Sequence, residues 1–115
     1  MNRGDVVLIV ASGELGKPRP AVVVQTDELG DSTTSVIVCP MSTDVDAALI
    51  LRPIIVPTGR NGIRSPSQIV TDKIVALARS RVRRTIGALN RADVDELDRT
   101  LLVVLGLARA IDFER

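Results

Sequence analysis

Short, β-branched apolar segments separated by turn-forming residues constrain the fold of this chain more than any other feature. Apolar runs cover 6–10, 21–25 and 35–41, and polar segments that contain glycine or proline lie between them. Valine and isoleucine favour pleated, half-buried backbone, and regularly spaced short strands are typical of antiparallel packing. The first half of the chain therefore predicts an antiparallel, mainly β body.

The second half carries three further strand signals around a loop at 57–67. Residues 49–56 are mostly apolar but include Pro53, which cannot donate to a ladder, so we expect an edge strand or one broken by a bulge. Residues 68–75 are expected to form a strand, and 76–78 either continue it or form a helical turn. Residues 79–86 alternate arginine with apolar residues, which predicts a strand with one exposed basic face.

An acidic amphipathic segment near the C-terminus is the clearest local signal. Asn90 is a favourable N-cap, and acidic residues follow in the first turns, where the helix dipole stabilises them. Apolar residues then recur at spacings of three and four until Gly106, which can end the helix. We expect this helix to pack on the sheet, so the fold class is α+β with a predominantly β body. The length of 115 residues fits a single domain over 1–115.

Composition excludes several function classes. The chain has no histidine, one cysteine and one aromatic residue, Phe113. Zinc enzymes, Ser-His-Asp hydrolases and disulfide-stapled scaffolds are thereby excluded, as is RNA binding by stacking on aromatic rings. Cys39 lies in an apolar run, which favours a buried reduced thiol over a catalytic nucleophile. No apolar run approaches the roughly 18–20 residues that span a bilayer, and the start lacks a signal-peptide pattern, so we expect a soluble, cytoplasmic protein.

Charged and hydroxyl side chains concentrate in two loops and at one strand end. Arg19 stands between Pro18 and Pro20, which restrict the backbone on either side of it. A guanidinium matches phosphate oxygens in a fork, so this arrangement is either an anion site or an ordinary turn. The other candidates are Glu14 and Lys17 in the first loop, Ser42 and Thr43 after the third strand, and Arg60, Arg64, Ser65, Ser67 and Gln68 in and after the later loop.

Five segments, in this order and spacing, resemble the MazF/PemK (Kid) family of toxin endoribonucleases: RGDVVLIV, GKPRPAVVVQ, SVIVCPMST, SPSQIVTDKI, and IGAL followed by the acidic helix ending LLVVLGL. The resemblance covers essentially the whole chain. It implies a small SH3-like barrel of the CcdB/MazF type with a C-terminal helix, working as a homodimer. It also implies a toxin that needs no cofactor or metal and is silenced by a cognate MazE-like antitoxin, whose acidic tail fills the RNA groove.

The activity that the resemblance implies is cleavage of single-stranded mRNA at short sequences, which inhibits translation and growth. The products would be a 2′,3′-cyclic phosphate and a 5′-hydroxyl. The nucleophile in such a reaction is the 2′-hydroxyl of the RNA, so the protein supplies a proton acceptor, a proton donor and stabilisation of the phosphorane. This mechanism is compatible with a chain that has no histidine, because the RNA itself supplies the nucleophile.

The resemblance also implies roles for particular residues. The catalytic arginine of the family falls on Arg19, with phosphorane stabilisation as its role and proton donation as a second one. The hydroxyl residue falls on Thr43, with Ser42 the alternative because this position shifts by one among members. Glu14 is the candidate base, and a solvated loop carboxylate is the equally weighted alternative. RNA contacts are expected from Lys17, Arg60, Arg64, Ser65, Ser67 and Gln68.

The sequence departs from the family pattern in two ways. Some relatives have a histidine in the first loop and an aspartate before the later glutamine, whereas this chain has no histidine and has Ser67 before Gln68. Ser67 cannot act as a carboxylate base. For Arg79, Arg81, Arg83 and Arg84, a solvated basic strand face is favoured over contact with RNA or antitoxin.

Two other functions stay open at this point. One is a gyrase-inhibiting toxin of the related CcdB type, and the other is a catalytically weak barrel that binds RNA or antitoxin. The RPAVV arginine and the hydroxyl after the third strand favour the nuclease over the gyrase inhibitor. The missing carboxylate at Ser67 keeps the weak barrel open.

Overall fold

The computed structural model describes residues 1–10 and 17–111, and in it the apolar runs of the sequence form strands. Every strand pair is antiparallel. The elements are β1 (Asp5–Ile9), β2 (Arg19–Val23), β3 (Ser35–Ser42), β4 (Ile54–Ile55), β5 (Ser67–Ile69), β6 (Val75–Ala78), β7 (Val82–Ala88) and the helix α1 (Arg91–Val104).

The sheet has the order β4-β5-β3-β2-β1-β7, and β6 also pairs with β3. On one edge β3 pairs with β2, and on the other edge it pairs first with β6 and then with β5. Sharing one edge of β3 between two short strands curls the sheet into a half-barrel. The prediction of a mainly β barrel-like fold with a C-terminal helix is confirmed.

The two faces of the sheet bury two separate apolar clusters, because successive side chains of a strand point to opposite faces. The cluster on the helix side contains Val6, Val22 and Cys39, against which Leu97 and Leu101 of α1 pack. The cluster on the other face consists of Val7, Ile9, Ala21, Val23, Val36 and Val38. Each fully buried side chain of this size contributes roughly 1.5–3 kcal/mol to folding.

The helix begins and ends where the sequence predicts. The side chain of Asn90 accepts a hydrogen bond of 2.8 Å from the backbone N–H of Asp93. At the other end Gly106 has φ of +71°, a left-handed conformation that favours glycine and terminates the helix. The side chain of Arg3 connects the helix to the end of β2, because it donates hydrogen bonds of 2.6 Å to Asp98 and 3.0 Å to the carbonyl of Val24.

Within the described residues, no helix is long and apolar enough to cross a membrane.

The second half differs from the strand predictions in three places. Only Ile54–Ile55 of the 49–56 run is a strand. The N–H groups of Leu49 and Arg52 bond to backbone carbonyls three residues earlier, and the carbonyls of both accept from the Gln68 side chain, so these groups do not pair with a strand. The predicted strand over 68–75 is interrupted by a 3₁₀ turn at Thr71–Lys73, and 76–78 continue as strand β6. Residues 79–81 form another 3₁₀ turn, so that strand β7 begins only at Val82.

Candidate active site

The first strand position of β2 is occupied by Arg19, between Pro18 and Pro20. In the antiparallel ladder Arg19 pairs with Ile9 and Pro20 pairs with Leu8. Since side chains alternate along a strand, Arg19 lies on the face of the second apolar cluster and Pro20 lies on the opposite face. Arg19 is exposed at this strand end.

A cavity of about 430 Å³ opens beside Arg19, and we call it the Arg19 cavity. Its walls include Ile9, Pro40, strand β6 and a second arginine, Arg81. Most of the lining residues are apolar, so the guanidinium groups of Arg19 and Arg81 lie beside a surface that binds little water. This arrangement strengthens their attraction for an anion, because the effective dielectric constant is lower than in open water.

The pairing of β2 with β3 decides which hydroxyl shares the face of Arg19. Ala21 pairs with Pro40, and alternation along each strand puts Arg19 and Ser42 on the same face of the sheet as this pair. Ser42 Oγ accepts a hydrogen bond of 3.1 Å from the backbone N–H of Asp44, which leaves the hydroxyl proton available for donation. Thr43, the first choice from the sequence, borders a different cavity on the opposite face. The structure therefore separates the two hydroxyls.

A second cavity, of about 290 Å³, lies on that opposite face, and we call it the Arg84 cavity. Leu8 pairs with Pro20 on one side and with Arg84 on the other, so these three residues form one row across β2, β1 and β7. The cavity is also lined by Thr43, Arg64, Ser65 and Ser67. Within the described residues, no carboxylate lines it.

The loop that carries Arg64 is held rigidly against β7. Asn61 is 1% exposed, and its side chain accepts hydrogen bonds of 3.1 Å from the N–H groups of Thr58 and Ile63. Gly62 has φ of +72°, and a Cβ there would lie 2.2 Å from the carbonyl oxygen of Ile86. Only glycine permits this approach, which fixes the loop and places Arg64 at the Arg84 cavity.

Gln68 does not face solvent. It is 2% exposed, and its Nε2 donates to the carbonyls of Asp46, Leu49 and Arg52 at 3.0, 3.3 and 2.8 Å. Its Oε1 accepts from the N–H of Asp46 at 2.9 Å. The side chain thus organises the segment that follows the two hydroxyls, and it offers no surface for the RNA contact expected from the sequence.

The other predicted RNA contacts differ in exposure. Ser67 is 2% exposed, its hydroxyl donates to the carbonyl of Ser65 at 2.9 Å, and it is one of the residues that line the Arg84 cavity. Lys17 and Arg60 are exposed and border neither of the two cavities. Glu14 lies outside the described residues.

The expected basic face of the 79–86 segment does not form. Arg79 is a structural residue whose guanidinium donates to the carbonyls of Thr33 and Gly30 at 2.6 and 2.8 Å. Arg81 lines the Arg19 cavity and Arg84 lines the other one. Arg83 is the extra residue of a β-bulge, because Leu8 pairs with Arg84 and Ile9 with Val82. A bulge changes the face of the sheet to which the neighbouring side chains point, so the side chains of β7 do not alternate strictly between the two faces.

Comparisons with known proteins identify the family. A family model described as a PemK-like, MazF-like toxin of type II toxin–antitoxin systems matches residues 2–105. The chain belongs to this family. A curated relative, a probable endoribonuclease MazF of Mycolicibacterium smegmatis, is 39% identical over 109 residues, which cover 94% of this chain and 99% of the relative. The prediction of an endoribonuclease toxin of the PemK/MazF family is confirmed.

Solved structures of other family members share the fold at low sequence identity. The MazE–MazF complex of Deinococcus radiodurans aligns with a TM-score of 0.76 at 19% identity, covering 94% of this chain and 98% of that one. The Mycobacterium tuberculosis toxin MazF-mt6 aligns with a TM-score of 0.75 at 21% identity, covering 90% and 97%. A mycobacterial endoribonuclease in complex with its cognate antitoxin gives 0.74 at 17% identity, covering 93% and 94%.

The only thiol of this PemK/MazF-family toxin is buried, as predicted. Cys39 is 0% exposed, and burial raises the pKa of its thiol to about 11. Because the thiolate is the reactive form, we expect no modification of the folded toxin by an aromatic disulfide reagent at pH 8, and release of one thiol equivalent once denaturant is added. Rapid stoichiometric labelling of the folded toxin, at an unchanged far-UV spectrum, would contradict this placement.

Proposed function

We propose that this toxin cleaves single-stranded mRNA at short sequences, without a metal, by attack of the 2′-hydroxyl of the RNA on the adjacent phosphorus. The observation that supports this proposal is that Arg19 and Ser42 lie on one face of the sheet, at the adjacent ends of β2 and β3. Arg19 also lines the cavity that Arg81 borders. A fixed cation and a hydroxyl donor are the groups that a phosphorane needs from the protein.

In the proposed reaction the 2′-oxygen forms a bond to phosphorus while the bond from phosphorus to the 5′-oxygen breaks. The proton of the 2′-hydroxyl passes to the carboxylate of Glu14, and the departing 5′-oxygen takes up a proton and leaves as a hydroxyl. The products are a 2′,3′-cyclic phosphate and a 5′-hydroxyl. No atom of the protein becomes bonded to phosphorus, so positioning and charge stabilisation supply the acceleration.

Arg19 stabilises the phosphorane in this mechanism, and it is also the candidate proton donor to the 5′-oxygen. Its guanidinium can donate two parallel hydrogen bonds to the non-bridging oxygens, whose negative charge increases in the transition state. Ser42 donates its hydroxyl proton to the same phosphate, since its oxygen is already an acceptor for Asp44. Lys17 and Arg60, both exposed, add positive potential that attracts the RNA backbone.

Partners of the toxin follow from the same proposal. The solved relatives that are complexes with antitoxin support a cognate MazE-like antitoxin for this chain. A homodimer is supported by apolar side chains left exposed at Ile50, Val103, Leu105 and Leu107, of which Ile50 is 85% exposed. The cytoplasm, where mRNA is translated, is the proposed site of action.

The function is tested by incubating the toxin with a long single-stranded RNA in EDTA and mapping the ends of the products. We expect cyclic-phosphate ends at one short recurring sequence. Ser42→Ala should lower kcat about 10²-fold, because a donor to the developing phosphorane charge is lost. Thr43→Ala is the comparison variant for kcat: its hydroxyl lies on the opposite face, so kcat should stay within about threefold of wild type and any loss should appear in RNA affinity.

Other results would change the proposal in defined ways. If Thr43→Ala abolished cleavage and Ser42→Ala did not, the hydroxyl role would pass to Thr43. A Glu14→Gln variant with the normal rate and pH profile would remove Glu14 as the base. Intact RNA together with blocked DNA supercoiling would indicate a gyrase inhibitor. Intact RNA with tight RNA binding would indicate a catalytically weak barrel.

A further inference from the structure

Two arginines line the Arg84 cavity, and among the described residues no acidic side chain lines it with them. Arg64 comes from the loop before β5 and Arg84 comes from β7, and Thr43 and Ser65 line the same cavity. In the part of the chain that the structure describes, neither arginine forms an ion pair or a side-chain hydrogen bond. Two like charges in one cavity repel each other, and a bound anion relieves that repulsion.

The chemistry of the cavity walls indicates which anion fits. Guanidinium groups match tetrahedral phosphate oxygens in a fork, and hydroxyls can donate to the oxygens that remain. The cavity volume of about 290 Å³ accommodates a phosphate group together with part of its sugar. Pro18, Pro20, Ile63 and Ile86 also line the cavity, so a bound group contacts apolar carbon as well as the arginines.

Both arginines are attached to rigid backbone. Arg84 is in ladder register with Leu8, and the loop carrying Arg64 is fixed by the buried side chain of Asn61 and by the close approach of Gly62 to Ile86. Little backbone freedom is then lost when an anion binds, so the contacts contribute more of their energy to affinity.

Consecutive residues of strand β2 line the Arg84 cavity and the Arg19 cavity. Pro20 lines the Arg84 cavity, and the preceding residue, Arg19, lines the cavity on the other face. An RNA strand that crosses the N-terminal end of β2 can therefore occupy both places. We infer that the Arg84 cavity binds a backbone phosphate of the RNA next to the cleaved one, held by Arg64 and Arg84 with Thr43 and Ser65. This inference rests on the proposed function.

Such a subsite positions the RNA and does not read its bases. Phosphate contacts fix register and orientation, whereas sequence is read at base edges. The subsite should therefore affect affinity equally for different RNA sequences and should make that affinity depend on salt. Each phosphate contact to a single strand contributes about 0.7 to the slope of log affinity against log salt concentration.

The test measures binding of a single-stranded RNA oligonucleotide that carries the mapped cut site with a 2′-deoxy ribose at the cleaved position. We expect Arg84→Ala to weaken binding about tenfold and to lower the salt slope by about 0.7. Arg84→Lys keeps the charge and should preserve the slope while weakening binding about threefold, because the fork geometry is lost. Arg83→Ala is the matched control: it removes the same charge from the neighbouring bulge residue, which lines neither cavity, and the slope should stay as in wild type.

Arg64→Ala provides a second, independent variant. It should lower the slope as Arg84→Ala does, and the double variant should lose less than the sum of the two, because both side chains contact one phosphate. Equal slopes and affinities for Arg84→Ala and Arg83→Ala would overturn the subsite, even if the wild-type toxin cleaves RNA. Failure of wild type to cleave any RNA would instead overturn the proposed function, and the binding series with an all-RNA oligonucleotide would still decide the subsite.

Discussion

Arg19→Ala is expected to lower the rate constant for RNA cleavage about 10³-fold. The guanidinium of Arg19 lies at the start of β2 on the same face as Ser42, and in the proposed mechanism its removal leaves the phosphorane charge without its nearest compensation. Binding of uncleavable RNA should weaken by no more than about tenfold, since one phosphate contact is lost among several. Single-turnover cleavage and equilibrium binding, measured on the same RNA, separate the two effects.

Two further variants make this result specific. Arg19→Lys retains the positive charge but cannot donate two parallel hydrogen bonds, so most of the rate loss should remain. Arg83→Ala removes an exposed arginine of the β7 bulge and should cleave at the wild-type rate. A rate for Arg19→Ala within tenfold of wild type would show that Arg19 is remote from the cleaved phosphate.

Gln68→Ala is expected to lower the free energy of unfolding by about 3 kcal/mol. The side-chain amide satisfies one N–H and three carbonyl groups of the 44–52 segment, and a methyl group satisfies none of them. Leaving a buried polar group without a partner costs roughly 1–3 kcal/mol, and water can reach some of these groups once the segment loosens. Urea denaturation at neutral pH measures the change.

Two further variants, Gln68→Glu and Ser67→Ala, test whether the hydrogen bonds of Gln68 account for that loss of stability. A carboxylate at position 68 would face three carbonyl oxygens without any proton to donate, so Gln68→Glu should be less stable than Gln68→Ala at pH 7 and should partly recover in acid. Ser67→Ala removes a single hydrogen bond, to the carbonyl of Ser65, and should cost about 1 kcal/mol. A loss for Gln68→Ala no larger than for Ser67→Ala would contradict the organising role of Gln68.

Local signals in the sequence were sufficient for the elements that depend on local physics. The helix from Arg91 to Val104 follows from its N-cap, its acidic first turn and its apolar stripe, all of which act within a few residues. The first three strands follow in the same way from β-branched runs bounded by turns. The segment around Pro53 was harder to predict, because its backbone groups bond to Gln68, which is distant in sequence.

The candidate site was only partly predictable for a related reason. Arg19 is conspicuous between two prolines, but the sequence could not decide between Ser42 and Thr43, because that choice depends on the register of β3 against β2. Strict alternation predicts a solvated basic face that includes Arg84, whereas the bulge at Arg83, which a single sequence does not indicate, changes the face to which Arg84 points. Its pairing with Arg64 in one cavity needed the tertiary structure.

The sequence by itself determined a β-rich body of short apolar runs, a capped C-terminal helix, a buried thiol and an arginine suited to a phosphate, because these depend on the properties and spacing of near neighbours. Only the tertiary structure decided which hydroxyl lies on the same face of the sheet as Arg19, that Gln68 is buried and bonded to the 46–52 backbone, and that Arg64 and Arg84 line one cavity. Each of these depends on strand register or on contacts between residues far apart in the chain, and a one-residue change in register moves a side chain to the other face of the sheet.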